Sequence, residues 1–346
     1  MYKIKTIPED FLVKELKNIV FSKTKNKENP FTIFLLKKKN LSTEEAVLLI
    51  SKNLVIKRKY IGYAGIKDKR AITKQFISVF KYDSEKIKNL NIPNIHLKLV
   101  GYLNKPISIG DLKGNSFHIV VRNLIMSDIK KFKSNYKKLK SNKYFLPNYF
   151  DEQRFSRKNV EIGKLLLKKN FKKAAETILE NEVSPQLKIT GNNYIDIIKK
   201  VPKKILSLYI HSFQSYVFNE TLKILLHNKK GRKISYSYGE FIFPDKKFLN
   251  FNVPIVGFGT ELKGKIKNII LKILKDEEVE LTDFIIRQLP EQTAYGFKRK
   301  AFFKVKKLSF SDIYDDDLYE KKKKIKINFI LDKGSYATIV IKYLFS

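Results

Sequence analysis

The chain has 346 residues, of which 43% are hydrophobic and 30% are charged. This composition supports a buried core and excludes a disordered chain, and the length suits two domains or one domain with an insertion. Lys and Arg total 71 against 34 Asp and Glu, so the formal net charge is +37. A charge of this sign attracts polyanions, and nucleic acid is the expected partner. A Lys-rich bias of the whole composition also contributes to the charge, because Lys occurs along almost the entire chain.

Several classes of site are excluded by residue types that are absent or scattered. Cys does not occur, so the chain has no disulfide, no thiolate nucleophile and no Cys-ligated zinc. The four His residues have no metal-binding spacing, and we expect neither a metal site nor a cofactor. The longest uncharged stretch, residues 205–219, is too short and too polar for a bilayer, which needs about 20 apolar residues. We expect a cytoplasmic protein without a membrane segment, and a monomer is favoured.

The first 125 residues or so have an α+β pattern. Short apolar or alternating runs predict strands at 11–13, 31–36, 75–80, 95–100 and 117–122. Ser42 and Glu45 form the S-x-x-E pattern of a capping box, which predicts a helix that ends at about Lys52. Glycines predict a loop at 60–65 and a turn at 114–115.

The remainder of the chain changes from helical to β patterns. Apolar spacing close to the helical period predicts helices at 162–179, 205–226 and 266–275, with β structure at 234–258. Strict alternation predicts a strand at 325–331, and an apolar run predicts a helix at 336–344. A strand so late in the chain is able to join the N-terminal sheet, which would make the middle of the chain an insertion. The sequence permits this arrangement without requiring it.

The segment 62–75 (GYAGIKDKRAITKQ) is the most unusual in the chain. Its glycines allow the backbone to approach a ligand closely, and Asp68 has cations on both sides. Nearby cations favour the ionised carboxylate, and an ionised, positioned carboxylate acts as a nucleophile or a base. From these residues alone, a solvated turn in which Asp68 pairs with a Lys is the more common structure.

Two further segments suit contact with a nucleotide. Residues 114–117 (GNSF) offer the Asn115 amide for hydrogen bonds and the Phe117 ring for a base; a turn that leads Phe117 into the core is the alternative. Residues 148–155 (NYFDEQRF) combine aromatic, amide, carboxylate and guanidinium groups. Their alternative is a polar helix start with two core rings.

Together these segments resemble the TruD family of pseudouridine synthases. The signature of that family is matched at Gly65, Lys67, Asp68, Ala71, Thr73 and Gln75. Five other blocks resemble the family in the same order: IPEDFLVKEL, LKGNSF, LPNYFDEQRFS, HSFQSYVFNE and KGSYATIVIKYL. The chain has Asp151 and Ser156 where the family usually has Gly, which affects local backbone shape and RNA contact, and residues 166–309 match weakly.

The resemblance implies roles for particular residues. Asp68 corresponds to the catalytic aspartate, and Lys5 to a lysine that pairs with it. Phe117 corresponds to the aromatic residue that stacks on the target base, and Asn115 to the amide beside it. The further residues that we predict to contact the substrate are Tyr149, Gln153, Arg154 and Lys67.

The resemblance also implies a fold and a reaction. The expected fold is α+β: a pseudouridine-synthase-type mixed-sheet catalytic domain, residues 1–150 plus 303–346, and an inserted α+β (TRUD) domain, residues 151–302, that forms the other wall of an RNA cleft. The expected reaction converts uridine to pseudouridine in tRNA, with position 13 of the D arm as the expected target. As an isomerisation it needs no redox cofactor. A covalent adduct at C1′ and a glycal route both remain open.

Three other functions remain as alternatives. The first is the same enzyme with additional or different target uridines. The second is a non-catalytic RNA-binding protein of the same fold, in which Asp68→Asn would change nothing measurable. The third is a basic structural protein of a ribonucleoprotein particle, which would have a similar composition but would not need six ordered sequence blocks.

Overall fold

A computed structural model describes residues 1–17, 19–24, 26–82, 91–156, 158–180, 193–246 and 250–346. The N-terminal part contains β1 (Phe11–Lys17), β2 (Phe31–Lys39), α1 (Thr43–Asn53), β3 (Ile61–Tyr63), β4 (Ile72–Phe80), β5 (Ile95–Leu103), β6 (Leu112–Leu124) and α2 (Met126–Ser141). The middle contains β7 (Phe145–Pro147), α3 (Asn159–Leu167), α4 (Phe171–Glu180), α5 (Tyr194–Lys200), α6 (Lys203–Leu226), β8 (Gly231–Tyr236), β9 (Gly239–Pro244), β10 (Asn252–Ile255) and α7 (Gly264–Asp276). The C-terminal part contains β11 (Phe297–Lys300), β12 (Phe302–Lys304), β13 (Lys306–Phe310), β14 (Tyr314–Asp315), β15 (Lys323–Asp332) and α8 (Ala337–Phe345). No helix in these described ranges is long and apolar enough to cross a membrane.

The predicted start of α1 is confirmed. The Glu45 N–H donates to Ser42 Oγ at 3.1 Å, and the Ser42 N–H donates back to Glu45 Oε2 at 2.7 Å. These two bonds satisfy backbone donors that have no partner inside the helix. The strands predicted near residues 11, 31, 75, 95, 117 and 325 are confirmed as β1, β2, β4, β5, β6 and β15.

Three predictions of local structure are wrong. The helix predicted at 162–179 is two helices, α3 and α4, and the chain takes a left-handed conformation (φ 58°) at Lys169 between them. The loop predicted at 60–65 contains the short strand β3. The turn predicted at 114–115 lies inside β6. A Cβ atom on Gly114 would lie 2.2 Å from the Leu331 carbonyl oxygen, so glycine allows the close approach of β15 instead of making a turn.

Backbone contacts divide the chain into two compact units. Unit 1 comprises Met1–Lys137, Lys304–Ala337 and Leu344–Ser346, and unit 2 comprises Lys138–Phe303 and Thr338–Tyr343. Unit 2 therefore interrupts unit 1 along the chain. The roles predicted for the two domains stay predictions.

Unit 1 is built on a mixed sheet. Its strand order is β13-β15-β6-β1-β4-β2-β5, with β14 beside β15 and β3 beside β4. Strands β1 and β4 are parallel, and the other neighbours are antiparallel. The late strand β15 pairs with β6, which realises the arrangement that the sequence permits. The α+β class and the mixed sheet are confirmed.

The sheet register places the residues of the later argument on one face. Val13 of β1 lies between Thr73 of β4 and Phe117 of β6. Along the same row, Thr73 is paired with Lys38 of β2 and Phe117 with Phe329 of β15. Side chains alternate along a strand with a period of two. The same face therefore also carries Glu15 and Gln75, two residues after Val13 and Thr73, and Asn115, two residues before Phe117.

Unit 2 is organised around the long helix α6. Helix α3 packs so closely on it that a Cβ atom on Gly163 would lie 2.2 Å from the Tyr209 carbonyl oxygen. The strands of this part pair in twos: β7 with β12, β8 with β9, and β10 with β11. Phe213, Val217 and Phe218 of α6 are fully buried in its core.

Candidate active site

Asp68 lies in the loop between β3 and β4, and buried polar side chains fix that loop. Thr43 Oγ1 accepts a hydrogen bond from the Lys67 N–H at 2.9 Å and donates one to Gln75 Oε1 at 3.0 Å. Gln75 Nε2 in turn donates to the Gly65 carbonyl at 3.2 Å. Both Thr43 and Gln75 are fully buried, so rigid elements hold the backbone on the N-terminal side of Asp68.

The Asp68 carboxylate makes one close ion pair. Lys5 Nζ lies 2.6 Å from Asp68 Oδ1, and the two side chains are 20% and 27% exposed. Among the described residues, none donates a hydrogen bond to the second oxygen, Oδ2. The Lys5 ammonium also lies 4.2 Å from the centre of the Phe11 ring. The carboxylate is therefore oriented by one partner and accessible from solvent, as a reacting group must be.

The segment that carries Lys5 is itself fixed to unit 1. Lys5 has a left-handed backbone conformation (φ 56°). Close beyond it, Asp10 Oδ1 accepts a hydrogen bond from Arg122 Nε of β6 at 2.8 Å, and both of these side chains are buried. Arg70 Nη2, from the loop of Asp68, donates to the Thr6 carbonyl at 2.9 Å. The N-terminal segment and the Asp68 loop are thus held to each other on either side of the ion pair.

A second cation, Lys38, lies behind the loop and was not predicted from the sequence. It is fully buried, and its Nζ donates to the Asp68 carbonyl at 2.8 Å and to the Leu41 carbonyl at 2.5 Å. Burial lowers the pKa of Lys38 from 10.5 to about 8; the charge of Asp68 acts to raise it and that of Lys67 to lower it. Lys38 therefore anchors the backbone of Asp68 from the side of the sheet.

We expect Lys38 to make stability rise with pH above about 8. The folded protein loses this proton near pH 8, whereas an exposed Lys in the unfolded chain keeps it to about pH 10.4. Between these values the unfolded chain binds more protons, so the free energy of unfolding increases with pH. Urea unfolding of the protein and of a Lys38→Met variant, from about pH 7 to about pH 10, measures the difference due to this group. A difference that stays constant across that range would contradict the expectation.

Lys67, a predicted substrate contact, faces the sheet. Its Nζ lies 2.6 Å from Glu15 Oε2, and the two side chains are only 5% and 2% exposed. Glu15 Oε1 also accepts a hydrogen bond from the Phe76 N–H at 3.3 Å. An ammonium held in this way offers no surface to a phosphate, so the placement favours a structural role for Lys67. Its predicted RNA contact stays a prediction.

Asn115 and Phe117 lie on the sheet face described above. Asn115 Oδ1 is buried without a hydrogen-bond partner among the described residues. Buried acceptors of this kind are uncommon in folded proteins. Phe117 is only 7% exposed; its ring stacks on Phe329 (centroids 5.4 Å apart) and meets Phe11 edge-on. A base can reach this ring only where Phe329 and Phe11 leave it open, so base stacking on Phe117 stays a prediction.

The other predicted contacts belong to unit 2. Tyr149 is 1% exposed, and its hydroxyl accepts a hydrogen bond from the Ile242 N–H at 3.2 Å. Burial raises the pKa of Tyr149, so its hydroxyl stays protonated. This is the position of a core residue, and it disfavours the predicted substrate contact. Gln153 is exposed, and the Arg154 guanidinium lies 5.5 Å from the Phe150 ring. These two remain open to a ligand.

Asp151, at a position where the resembled family usually has Gly, is buried. The Lys342 ammonium of α8 lies 2.9 Å from its Oδ1, and the same ammonium lies 2.8 Å from Glu152 Oε2. The negative charge that Asp151 brings to this position is thus compensated by a cation of unit 2. Within the described ranges, no group of three or more His, Asp or Glu side chains is arranged to hold a metal ion.

Comparison with known proteins defines the class of this fold and site. The family model described as tRNA pseudouridine synthase D (TruD) matches residues 2–188 and 243–344. A tRNA pseudouridine synthase D homologue of Nanoarchaeum equitans is 33% identical over 99% of this chain and 98% of its own. The tRNA pseudouridine synthase D of Aquifex aeolicus is 29% identical over the same shares of the two chains. The crystal structure of a TruD homologue from Methanosarcina mazei superposes with a TM-score of 0.67 at 25% identity, covering 99% of this chain and 93% of that one.

These matches place the chain among the pseudouridine synthases. The chain belongs to the tRNA pseudouridine synthase D (TruD) family, whose reaction is the isomerisation of uridine in tRNA. The resemblance that the sequence motifs indicate is thereby confirmed.

Proposed function

We propose that this chain isomerises uridine to pseudouridine at position 13 of tRNA, with Asp68 as its catalytic carboxylate and Lys5 as the partner that orients it. The observation that carries the proposal is the accessible Asp68 carboxylate, 2.6 Å from the Lys5 ammonium, on a loop fixed by buried residues. A precisely held charge is what nucleophilic or general-base catalysis requires.

The proposed reaction rearranges the bonds of one nucleotide and leaves its composition unchanged. The N1–C1′ bond breaks, the base rotates, and C5 joins C1′ while the C5 proton is lost and N1 gains one. Asp68 either adds to C1′, or removes the C2′ proton to give a glycal. Both routes need the uridine to leave its stack, since its sugar is otherwise out of reach of a side chain.

We propose supporting roles for the neighbouring groups. Asn115 Oδ1 accepts a hydrogen bond from the target base, because this buried oxygen has no partner within the described part of the chain. Gln153 and Arg154 of unit 2 contact RNA, and the net charge of +37 supports binding of the tRNA phosphates. The protein acts in the cytoplasm as a monomer.

We expect the product at a single uridine, position 13 of the D arm. An unmodified tRNA transcript that carries this uridine is incubated with the protein, and pseudouridine is mapped nucleotide by nucleotide. A transcript with cytidine at position 13 is the control and should yield no product. Product at another uridine would support the proposed activity and refute the proposed target position. Binding without product on every tRNA tried would favour an RNA-binding protein that lacks the reaction.

A further inference from the structure

Three large aromatic side chains of unit 2 are unusually exposed on two segments that are distant in the chain and paired in the structure. Phe258, Tyr295 and Phe297 have relative exposures of 41%, 67% and 57%. We name these three residues the aromatic platform. Phe258 forms a β-bridge with Tyr295, and their ring centroids are 6.1 Å apart with the planes inclined at 63°. Exposed rings of this size are costly in water and commonly mark an interaction surface.

The backbone beneath the platform is built for a close crossing of two segments. A Cβ atom on Gly257 would lie 2.5 Å from the Tyr295 carbonyl carbon, and one on Gly296 would lie 1.9 Å from Thr260 Oγ1. The Phe258 N–H donates to the Ala294 carbonyl at 2.8 Å. Glycine at these two positions lets the segments pass at this distance, and this crossing carries the backbone of the exposed rings.

Side-chain hydrogen bonds hold this crossing in place. Thr260 Oγ1 accepts from the Gly257 N–H at 2.8 Å. Gln214 of α6, which is buried, donates from Nε2 to the Val256 carbonyl at 2.5 Å. The platform therefore rests on the central helix of unit 2 and is preorganised, which reduces the entropy lost on binding.

The charge next to the platform is positive. Lys298 and Lys300 are exposed on β11, the strand that begins at Phe297, and no Asp or Glu occurs from residue 292 to 311. Lys263 and Lys265 are exposed shortly after Phe258, where Glu261 is the one acidic residue between 250 and 275. Aromatic rings interleaved with cations are the composition of surfaces that bind nucleic acid without reading its sequence.

We propose that the aromatic platform binds the tRNA substrate by stacking on unpaired bases outside the target uridine, while the adjacent lysines contact the phosphates. Every base has a flat face, so this contact contributes affinity at any sequence that exposes a base. This inference rests on tRNA being the substrate. A second copy of the chain is the competing occupant, and the positive charge on both sides of the rings opposes it by repulsion between like surfaces.

The test is a comparison of variants that remove the rings with variants that keep them. Phe258→Ala/Tyr295→Ala is expected to raise the Kd for unmodified tRNA at least about tenfold, which corresponds to the lower part of the range for loss of one stacked base. Phe258→Tyr/Tyr295→Phe should keep the Kd within about twofold, whereas Phe258→Leu/Tyr295→Leu should lose as much as the Ala pair. If an apolar side chain were sufficient for this contact, the Leu pair would have the same Kd as the unsubstituted protein, and that result would overturn stacking.

The salt dependence of the Kd separates the rings from the lysines. Stacking releases no counterions, so the slope of log Kd against log salt should be the same in the Ala pair as in the protein. Lys298→Ala is the matched control, and its slope should fall by about one. This assay measures binding and not product formation. If the protein binds no tRNA at all, tRNA is refuted as the substrate. If the protein and the Ala pair have equal Kd values, only the role of the platform is refuted. A change in oligomeric state with an unchanged Kd would assign the platform to self-association.

A spectroscopic measurement gives an independent result. The chain contains no Trp, so Tyr295→Trp introduces a single Trp at the platform, which can be excited at wavelengths where Tyr does not absorb. Stacking with a base should quench its emission when tRNA is added. Dextran sulfate, a polyanion without bases, should leave the emission unchanged at a concentration that competes for the lysines. Equal quenching by both polyanions would contradict stacking.

Discussion

Asp68→Asn is expected to abolish pseudouridine formation while leaving a folded protein that binds tRNA. The amide has nearly the same shape as the carboxylate, but it neither adds to C1′ nor takes up the C2′ proton. Removal of a catalytic nucleophile or base costs about 10⁴-fold or more in rate in well-studied enzymes, and we expect a loss of that order. The measurement is single-turnover product formation on a transcript with uridine at position 13, with the variant in excess.

Two comparisons make this result specific to Asp68. The loop that carries Asp68 is held by Thr43, Gln75 and Lys38, none of which contacts its carboxylate, so the melting temperature should change by only a few degrees. Asp312→Asn is the matched control, because it is an exposed Asp of the same unit and should retain full activity. Full activity in Asp68→Asn would move the catalytic role to another residue. Loss of tRNA binding together with activity would instead give Asp68 a role in binding the substrate.

Residues that interact with near neighbours in the chain, or with solvent, were predictable from the sequence. The capping box at Ser42 is local, and strand alternation in β1 and β15 reports which face is buried. Gly114 shows where this fails. A glycine before Asn115 suits a turn equally well as the close approach of a distant strand, and only the pairing of β6 with β15 distinguishes them.

The candidate site was predictable in part for a different reason. Asp68 and Lys5 were identified because sequence blocks resemble those of a family, and the pair distance of 2.6 Å was not contained in those blocks. Lys38 sits in a run of three lysines that look alike, yet its two neighbours in the run point away from the buried face. Its partners are backbone carbonyls of Leu41 and Asp68, which have no side-chain signature in the sequence.

Lys67→Met is expected to lower the free energy of unfolding by about 3–5 kcal/mol, the usual cost of removing one partner from a buried ion pair. The variant leaves the Glu15 carboxylate buried at 2% exposure without its cation. Urea unfolding followed by circular dichroism measures this loss. In the double variant Lys67→Met/Glu15→Gln neither of the two side chains carries a charge, so its loss should be smaller than the sum of the two single losses by about 2 kcal/mol.

An exposed pair of the same unit provides the control for this measurement. Lys306 Nζ lies 2.6 Å from Asp332 Oδ1 with side chains 42% and 53% exposed, and Lys306→Met should cost no more than about 1 kcal/mol. The same variants decide between the two interpretations of Lys67. If its ammonium contacts RNA, Lys67→Met will weaken tRNA binding at unchanged stability and reduce the salt dependence of Kd by about one unit of slope. If it serves the sheet, stability falls and the salt slope of the folded variant is unchanged, because the phosphates never had this cation as a partner.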